Sequence, residues 1–192
     1  MEHSPSSSRL SQTILRLAGL AAILMIAVSV SGCDKEVHAL EAKEGTRVYL
    51  DDIFYQVQIS RQLNPKDVED SYYLQDQPAP AKGDAYFGVF MRVDNETHEG
   101  RVLPVGTNRM KIVTASGDEY EPLDVHAVGW GYAPSPIGKG AMLPVPNTPA
   151  YVGPIRGGLV LFRISQASLN NRPLELEIKG NNGKTGKITL DV

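Results

Sequence analysis

The feature that most constrains the fold is an alternation of side chains along residues 85–94. Successive side chains of a β-strand point to opposite faces of the sheet, so residues that are two apart share a face. The side chains expected to face a hydrophobic core are Phe87, Val89, Met91 and Val93. Those expected to face the other way are Tyr86, Gly88, Phe90 and Arg92. The run therefore predicts a central strand of a β-sheet.

Shorter strand patterns fill most of the chain from residue 47 onward. Tyr55, Val57 and Ile59 alternate with polar residues, which predicts a half-buried strand with Ile59 on its core face. Residues 115–118 contain Gly117 and predict a hairpin turn. The other predicted strands lie at residues 47–50, 110–114, 119–122, 159–164, 174–178 and 188–192. Seven or eight short strands without sustained helical periodicity predict a mainly β protein, an antiparallel β-sandwich.

Helix signals are confined to two short segments. At residues 64–74, Asn64 is a candidate N-cap, Pro65 suits the first helical position, and Asp67 favours the positive end of a helix dipole. We expect a helix of a few turns at most in this segment. A second helical turn is predicted at residues 165–170.

The N-terminus has the layout of an export signal. Residues 1–12 are largely polar, Arg9 and Arg16 are the nearby cations, and residues 17–30 carry no charge. Fourteen helical residues reach about 21 Å, short of the roughly 30 Å hydrocarbon core of a bilayer, so a stable membrane-spanning helix is the weaker interpretation. We therefore expect a signal peptide.

The uncharged run ends in four residues that resemble the lipobox of bacterial lipoproteins: Val30, Ser31, Gly32 and Cys33. The resemblance implies cleavage before Cys33 and a diacylglycerol on its thiol, with ordinary signal cleavage or a free thiol as the alternatives. Because Cys33 is the single cysteine, an internal disulfide and a multi-thiolate metal site are excluded. The predicted organisation is a signal peptide (1–32), a lipidated cysteine with a tether (33–46) and a β-sandwich domain (47–192).

Several strand patterns together resemble a family of immunoglobulin-like domains of unknown function. The family occurs in bacterial lipoproteins and is similar to the secreted mycobacterial antigen type. The matching segments are residues 55–59, 93–95, 112–120 and 158–164, followed by the closing hairpin. The resemblance implies an immunoglobulin-like antiparallel sandwich. Since the family has no established catalytic residues, it implies no activity.

One long segment, residues 129–158, is unusually apolar for a loop. It contains seven glycines and six prolines, and its only charged residues are Lys139 and Arg156. Such a segment either packs over the sandwich or offers a surface to a partner, with Trp130, Tyr132 and Tyr151 as candidate binding anchors. Within this segment, we expect Trp130 to be at least partly buried and Tyr151 to be exposed.

Two groups of polar residues could bind a metal ion, but each has a simpler structural explanation. The first group is a cluster of four acidic residues that could bind calcium: Asp67, Glu69, Asp70 and Asp76. Their spacing fits no EF-hand loop and instead favours the charged face of a short helix. Tyr72 and Tyr73 beside it could form a lid or a recognition patch. The histidines remaining after cleavage would have to converge by folding to bind copper or zinc: His38, His98 and His126. We expect no bound metal and no cofactor.

Two further motifs have simpler structural explanations. No Gly-x-Ser-x-Gly element is present, and Ser116 with Asp118 is better explained as part of a hairpin than as part of a hydrolase site. The tripeptide that begins at Asn95 has the form of a glycosylation acceptor, but we expect it to begin a turn.

The formal charge of −3 and the scattered cations lack the basic patch of a nucleic-acid-binding protein. We therefore expect a non-enzymatic binding or scaffold module, held on the extracytoplasmic face of the cell membrane by its lipid anchor. Its partner would be another envelope protein or a wall component. The alternative function is an envelope carrier of a small apolar ligand or a metal ion. An enzyme is the third class, because a site assembled by folding is invisible to residue spacing.

Overall fold

The computed structural model describes residues 40–103, 109–125, 129–132 and 136–190, which contain thirteen β-strands and three short helices. The strands are β1 (Glu41–Lys43), β2 (Arg47–Leu50), β3 (Ile53–Leu63), β4 (Asp84–Asp94), β5 (Arg101–Val102), β6 (Met110–Thr114), β7 (Glu119–Tyr120), β8 (Pro122–Leu123), β9 (Pro136–Ile137), β10 (Met142–Leu143), β11 (Gly158–Ser165), β12 (Leu174–Lys179) and β13 (Thr185–Leu190). The helices are α1 (Val68–Tyr73), α2 (Pro149–Val152) and α3 (Gln166–Leu169). Seven of these strands have four or more residues, and the others have two or three.

Two sheets form the sandwich. One has five strands in the order β1-β13-β12-β6-β7, and the other runs β2-β3-β4-β11-β8, with β10 also pairing with β4. Strands β5 and β9 form a separate small pair. Among the described strands, neighbours are antiparallel except β1 and β13, which run parallel. The mainly β sandwich predicted from the sequence is confirmed.

The main hydrophobic core lies between the two sheets. Alternate side chains of each sheet point into it, as the strand period of two requires. β4 contributes four residues that are each 0% exposed, and they are the four predicted to face the core: Phe87, Val89, Met91 and Val93. The facing sheet contributes Ile112, Leu174, Leu176, Ile178 and Ile188.

A β-bulge in β3 changes which of its residues are buried. The pairing of β3 with β4 shifts register between Val57 and Ile59. Because the extra residue reverses the side-chain direction beyond it, Ile59 is 37% exposed and Ser60 is 3% exposed. The prediction that Ile59 faces the core is wrong for this reason.

The second face of β4 is buried as well. Tyr86 and Phe90 point away from the main core, as predicted, yet they are 1% and 0% exposed. They belong to a second cluster whose buried members are Leu63, Tyr73, Leu74, Tyr86, Phe90, Leu159 and Leu161. Trp130 and Ile155 pack against this cluster as partly buried residues. Helix α1, together with Trp130 and residues 149–155, thus forms a third layer on the six-stranded sheet.

Residues 40–46 are held on the sandwich. Strand β1 pairs with β13, and the Glu44 N–H donates to the Thr189 carbonyl at 2.8 Å. The Glu44 carboxylate accepts hydrogen bonds from the Ser60 N–H, at 3.0 Å, and from the Ser60 hydroxyl. The segment predicted as the end of a tether therefore contributes an edge strand to the domain. Its charged composition did not indicate this, because a parallel edge strand is held mainly through backbone groups.

Candidate binding groove

The N-terminus of α1 is capped by Asp67. Its carboxylate accepts hydrogen bonds from the N–H groups of Glu69, at 2.9 Å, and Asp70, at 3.2 Å. The predicted cap at Asn64 is wrong, because the Asn64 side chain instead accepts from the Lys66 N–H at 3.0 Å in the preceding turn. Pro65 therefore lies before the helix rather than at its first position.

A buried ion pair fixes α1 to β3. Asp70 is 2% exposed. Its carboxylate accepts a hydrogen bond from the Arg61 guanidinium of β3 and another from the Asn64 N–H at 2.7 Å. A buried carboxylate needs such partners because removing it from water is costly. This ion pair sets which side of the short helix faces the sheet.

The inner side of α1 packs on the sheet through Tyr73, which is 1% exposed. The Tyr73 ring meets Phe90 of β4 with ring centroids 5.0 Å apart, and it meets Trp130 with ring centroids 4.9 Å apart, both near the edge-to-face geometry that aromatic pairs prefer. Tyr73 therefore joins the helix, the sheet and the 129–158 segment.

Backbone pairing with β11 holds Trp130 in this position. The Leu159 N–H donates to the Trp130 carbonyl at 2.7 Å, and the Tyr132 N–H donates to the Leu159 carbonyl at 2.9 Å. Gly153 allows the ring to lie close to the chain, because a Cβ there would lie only 2.8 Å from the Trp130 ring atoms. The Trp130 side chain thus fills the space between α1 and residues 153–155.

An open groove of about 590 Å³ lies beside this aromatic contact. Its lining residues are Asp67, Val68, Glu69, Tyr72, Tyr73, Trp130 and Pro154. Val68 and Tyr72 are 74% and 62% exposed, although both are apolar or aromatic. Since they lie four residues apart, they occupy neighbouring positions on one side of α1. We call this feature the aromatic groove.

The three anchors predicted in the 129–158 segment lie in different environments. Trp130 is partly buried and lines the aromatic groove, whereas Tyr151 on α2 is 39% exposed and lies outside its lining. Tyr132 is 6% exposed in the main core. Its proposed role as an exposed anchor is therefore corrected, because pairing with Leu159 carries it inward. The described residues of the segment therefore include both packed and exposed aromatic side chains.

The sequence singled out only part of the aromatic groove. The sequence offers a lid or a recognition patch at Tyr72 and Tyr73, but nothing in it indicates that Pro154 lies beside them. The spacing of Val68 and Tyr72 on a helix with an otherwise polar surface is a signal that could have indicated an exposed apolar stripe. The contact with Trp130 had no such signal, because it depends on tertiary folding.

The other candidate residues serve the fold. The Asn95 amide is buried and donates to the carbonyls of Glu99, Ile137 and Gly138, so the tripeptide it begins is part of a turn, as expected. Ser116 and Asp118 are hydrogen-bonded to each other at 2.8 Å beside the β6–β7 hairpin. Within the described ranges, no group of three or more histidine, cysteine or acidic residues is arranged to hold a metal ion.

The N-terminal predictions fall on residues that the structure does not describe. Cys33 and the lipobox residues 30–32 lie outside the described ranges, as do His38 and His126. Among the helices that are described, none combines the length and the apolar composition needed to cross a membrane.

Comparison with known proteins identifies similar folds. No family model matches the sequence, and no curated protein matches it either. The solved structure of the yjhA protein from Bacillus subtilis has a TM-score of 0.51 and 8% identity, over 78% of this chain and 99% of that chain. The secreted protein MPT63 from Mycobacterium tuberculosis has a TM-score of 0.49 and 14% identity, over 79% and 96% of the two chains.

A candidate lipoprotein from Bacillus subtilis, ycdA, has a TM-score of 0.48 and 9% identity, over 78% of this chain but only 39% of its own. The chain described here therefore spans well under half of that protein. At such identities the likeness concerns the fold alone.

Proposed function

We propose that the protein is a lipid-anchored, extracytoplasmic binding module without catalytic activity, and that a partner docks at the aromatic groove. The observation that supports this role is the exposure of Val68 and Tyr72 directly beside the buried contact of Tyr73 with Trp130. Aromatic side chains next to a rigid, buried support are the usual centres of protein interfaces.

The outer face of the five-stranded sheet provides a contrast. There Lys111 and Lys187 form ion pairs with neighbouring carboxylates, including Lys187 with Glu175 at 2.9 Å and with Glu177 at 3.0 Å. Charges paired with one another on a strand surface are compatible with contact to water. The exposed apolar side chains of the aromatic groove gain no such stabilisation from contact with water. We therefore expect a partner to dock on the α1 side of the sandwich.

Anchoring rests on the sequence of residues 30–33. We expect Cys33→Ser to lose lipidation and to leave either uncut precursor or released protein. Metabolic labelling with a fatty-acid analogue, followed by membrane fractionation, measures both effects. A Cys33→Ser protein that still incorporates the label and still fractionates with membranes would show that the lipobox interpretation is wrong.

Chemical crosslinking in the native cells tests the binding role. The anchored wild-type protein should capture a discrete partner from the envelope, and Tyr72→Ala should reduce that capture strongly. Tyr151→Ala is the matched control, because it removes an exposed aromatic residue from the same layer but outside the aromatic groove. Equal capture by all three proteins would exclude the aromatic groove as the docking site.

A carrier of a small apolar ligand is the second candidate. The aromatic groove, at about 590 Å³, lies within the size range of small-molecule sites, roughly 300–1,000 Å³. A carrier should retain its ligand through gentle purification, and native mass spectrometry would detect the added mass. A ligand mass that disappears in Tyr72→Ala would favour the carrier over the docking module.

A further inference from the structure

We propose that the aromatic groove binds an extended peptide in which proline lies close to lysine or arginine. This inference rests on the proposed binding role and specifies the chemistry of the partner. It follows from the shape of the aromatic groove, from one buried hydroxyl group and from the charges at its rim.

The shape favours an extended chain. Its lining combines Val68 and Tyr72 of α1 with Trp130 and Pro154. Because Val68 and Tyr72 remain largely exposed, the aromatic groove is an open trough rather than an enclosed cavity. Proline-rich segments are already extended before binding, so they lose little conformational freedom when they enter an aromatic-lined trough.

The Tyr73 hydroxyl supplies a hydrogen-bond donor. It is buried and has no hydrogen-bond partner among the described side chains, although the Ile155 backbone lies close to it. Burial raises the pKa of Tyr73, and the negative charge of Glu69 acts in the same direction, so the hydroxyl stays protonated. The carbonyl groups of an extended proline-rich chain lack internal partners and can accept this hydrogen bond.

The rim supplies charge complementarity. Asp67 and Glu69 line the aromatic groove and are exposed. Arg61 is engaged by the buried Asp70 and lies 3.5 Å from Glu69. Lys66 precedes the helix but does not line the aromatic groove. A lysine or arginine of the partner would therefore meet carboxylates, while its aliphatic stem would pack on aromatic rings.

The chain itself contains a segment of this chemistry, residues 77–82, with the sequence Gln-Pro-Ala-Pro-Ala-Lys. This segment is fastened to its own domain, because the Gln77 side chain donates to the Asp124 carbonyl at 2.8 Å and the Tyr86 hydroxyl donates to the Pro78 carbonyl. It is therefore not free to enter a second copy, and we assign the aromatic groove to a peptide of another protein. As a free synthetic peptide, the same sequence is a suitable probe.

Fluorescence anisotropy with the full-length protein in lipid nanodiscs tests the inference. The probes are short synthetic peptides that combine proline with lysine or arginine at several spacings, including the sequence of residues 77–82. Each has one counterpart with alanine in place of proline and another with glutamate in place of the basic residue. We expect at least one parent peptide to bind about tenfold more tightly than both counterparts.

Protein variants locate the binding site. Tyr72→Ala should weaken binding of the same peptide about tenfold or more. Tyr73→Phe, which keeps the ring and removes the hydroxyl, should weaken it several-fold, and Tyr151→Ala should leave it unchanged. Failure of every parent peptide to exceed its counterparts, or equal binding by Tyr72→Ala, would overturn the inference.

Three further outcomes would also overturn it. If the protein self-associates and Tyr72→Ala abolishes the self-association, the occupant of the aromatic groove is a second copy of this chain rather than another protein. If capture in cells depends on Tyr72 but no peptide binds, the proposed binding role stands and the peptide chemistry is wrong. If capture in cells is also independent of Tyr72, the docking site itself is wrong.

Discussion

The rings of Tyr73 and Trp130 meet edge to face, with centroids 4.9 Å apart and planes inclined by 83°. Tyr73 belongs to α1 and Trp130 to the 129–158 segment, so this contact joins the two parts of the third layer. Such an aromatic pair contributes about 0.5–1.5 kcal/mol beyond the burial of its surface. Buried residues of this layer should therefore affect stability, and exposed residues of the aromatic groove should affect binding.

Replacing Trp130 by alanine tests whether its contacts stabilise the fold. We expect a loss of about 3 kcal/mol in the free energy of unfolding, because the variant loses the contact with Tyr73 and the cover over the second cluster. Tyr151→Ala, at an exposed position, should change it by no more than about 0.5 kcal/mol. Urea unfolding followed by circular dichroism measures both values. A larger loss for Tyr151 than for Trp130 would contradict the assignment.

The buried ion pair gives a second stability prediction. Asp70→Ala removes the acceptor of the Asn64 N–H and the partner of Arg61, which is 31% exposed, and should lower the free energy of unfolding by about 1–3 kcal/mol. Glu69→Gln is the matched control: its carboxylate also approaches Arg61, at 3.5 Å, but it is exposed, so the change should be within about 0.5 kcal/mol. Equal effects of the two substitutions would mean that Asp70 does not fasten α1 to β3.

Strand β4 shows both what a local pattern predicts and what it misses. Its alternation correctly predicted the core residues, because a strand repeats every two residues wherever it lies. The same pattern could not reveal that Tyr86 and Phe90 are buried too, since their cover comes from α1 and the distant Trp130. The bulge before Ile59 was invisible for a related reason: one extra residue changes the pairing without changing the composition. Local patterns predicted the sheets, and tertiary contacts created the aromatic groove.

Strand β1 gives a third prediction. A domain that begins at residue 47 should be less stable than one that begins at residue 40 by about 2 kcal/mol or more, because the buried N–H and hydroxyl of Ser60 lose the Glu44 carboxylate. Glu44→Ala in the longer domain should reproduce part of this loss. Thermal and urea unfolding of the three proteins provide the comparison. Equal stability of the two lengths would mean that the tether does extend to residue 46.

The charged face of the five-stranded sheet predicts a pH effect. Burial alone would raise the pKa of Glu177, but hydrogen bonds and charge pairing with Lys187 and Lys111 outweigh it and hold the pKa below its ordinary value. The resulting stability is present above the unfolded pKa, at about 4.3, and is lost as the pH falls through the lower folded pKa. Glu177→Gln should therefore lose less stability on acidification than the wild type, by up to about 1 kcal/mol. The measurement is the free energy of unfolding as a function of pH below about pH 5. Parallel curves for the two proteins in this range would contradict the prediction.

Site-directed photocrosslinking tests the central claim most directly. A benzophenone amino acid in place of Tyr72 would place the reactive group at the aromatic groove, and the same amino acid in place of Tyr151 would place it on the same layer outside the aromatic groove. The anchored proteins would be irradiated in their native cells, and the adducts separated by mass. We predict a discrete adduct from position 72 and none of that mass from position 151. No adduct from position 72, or the same adduct from both positions, would contradict a partner site in the aromatic groove.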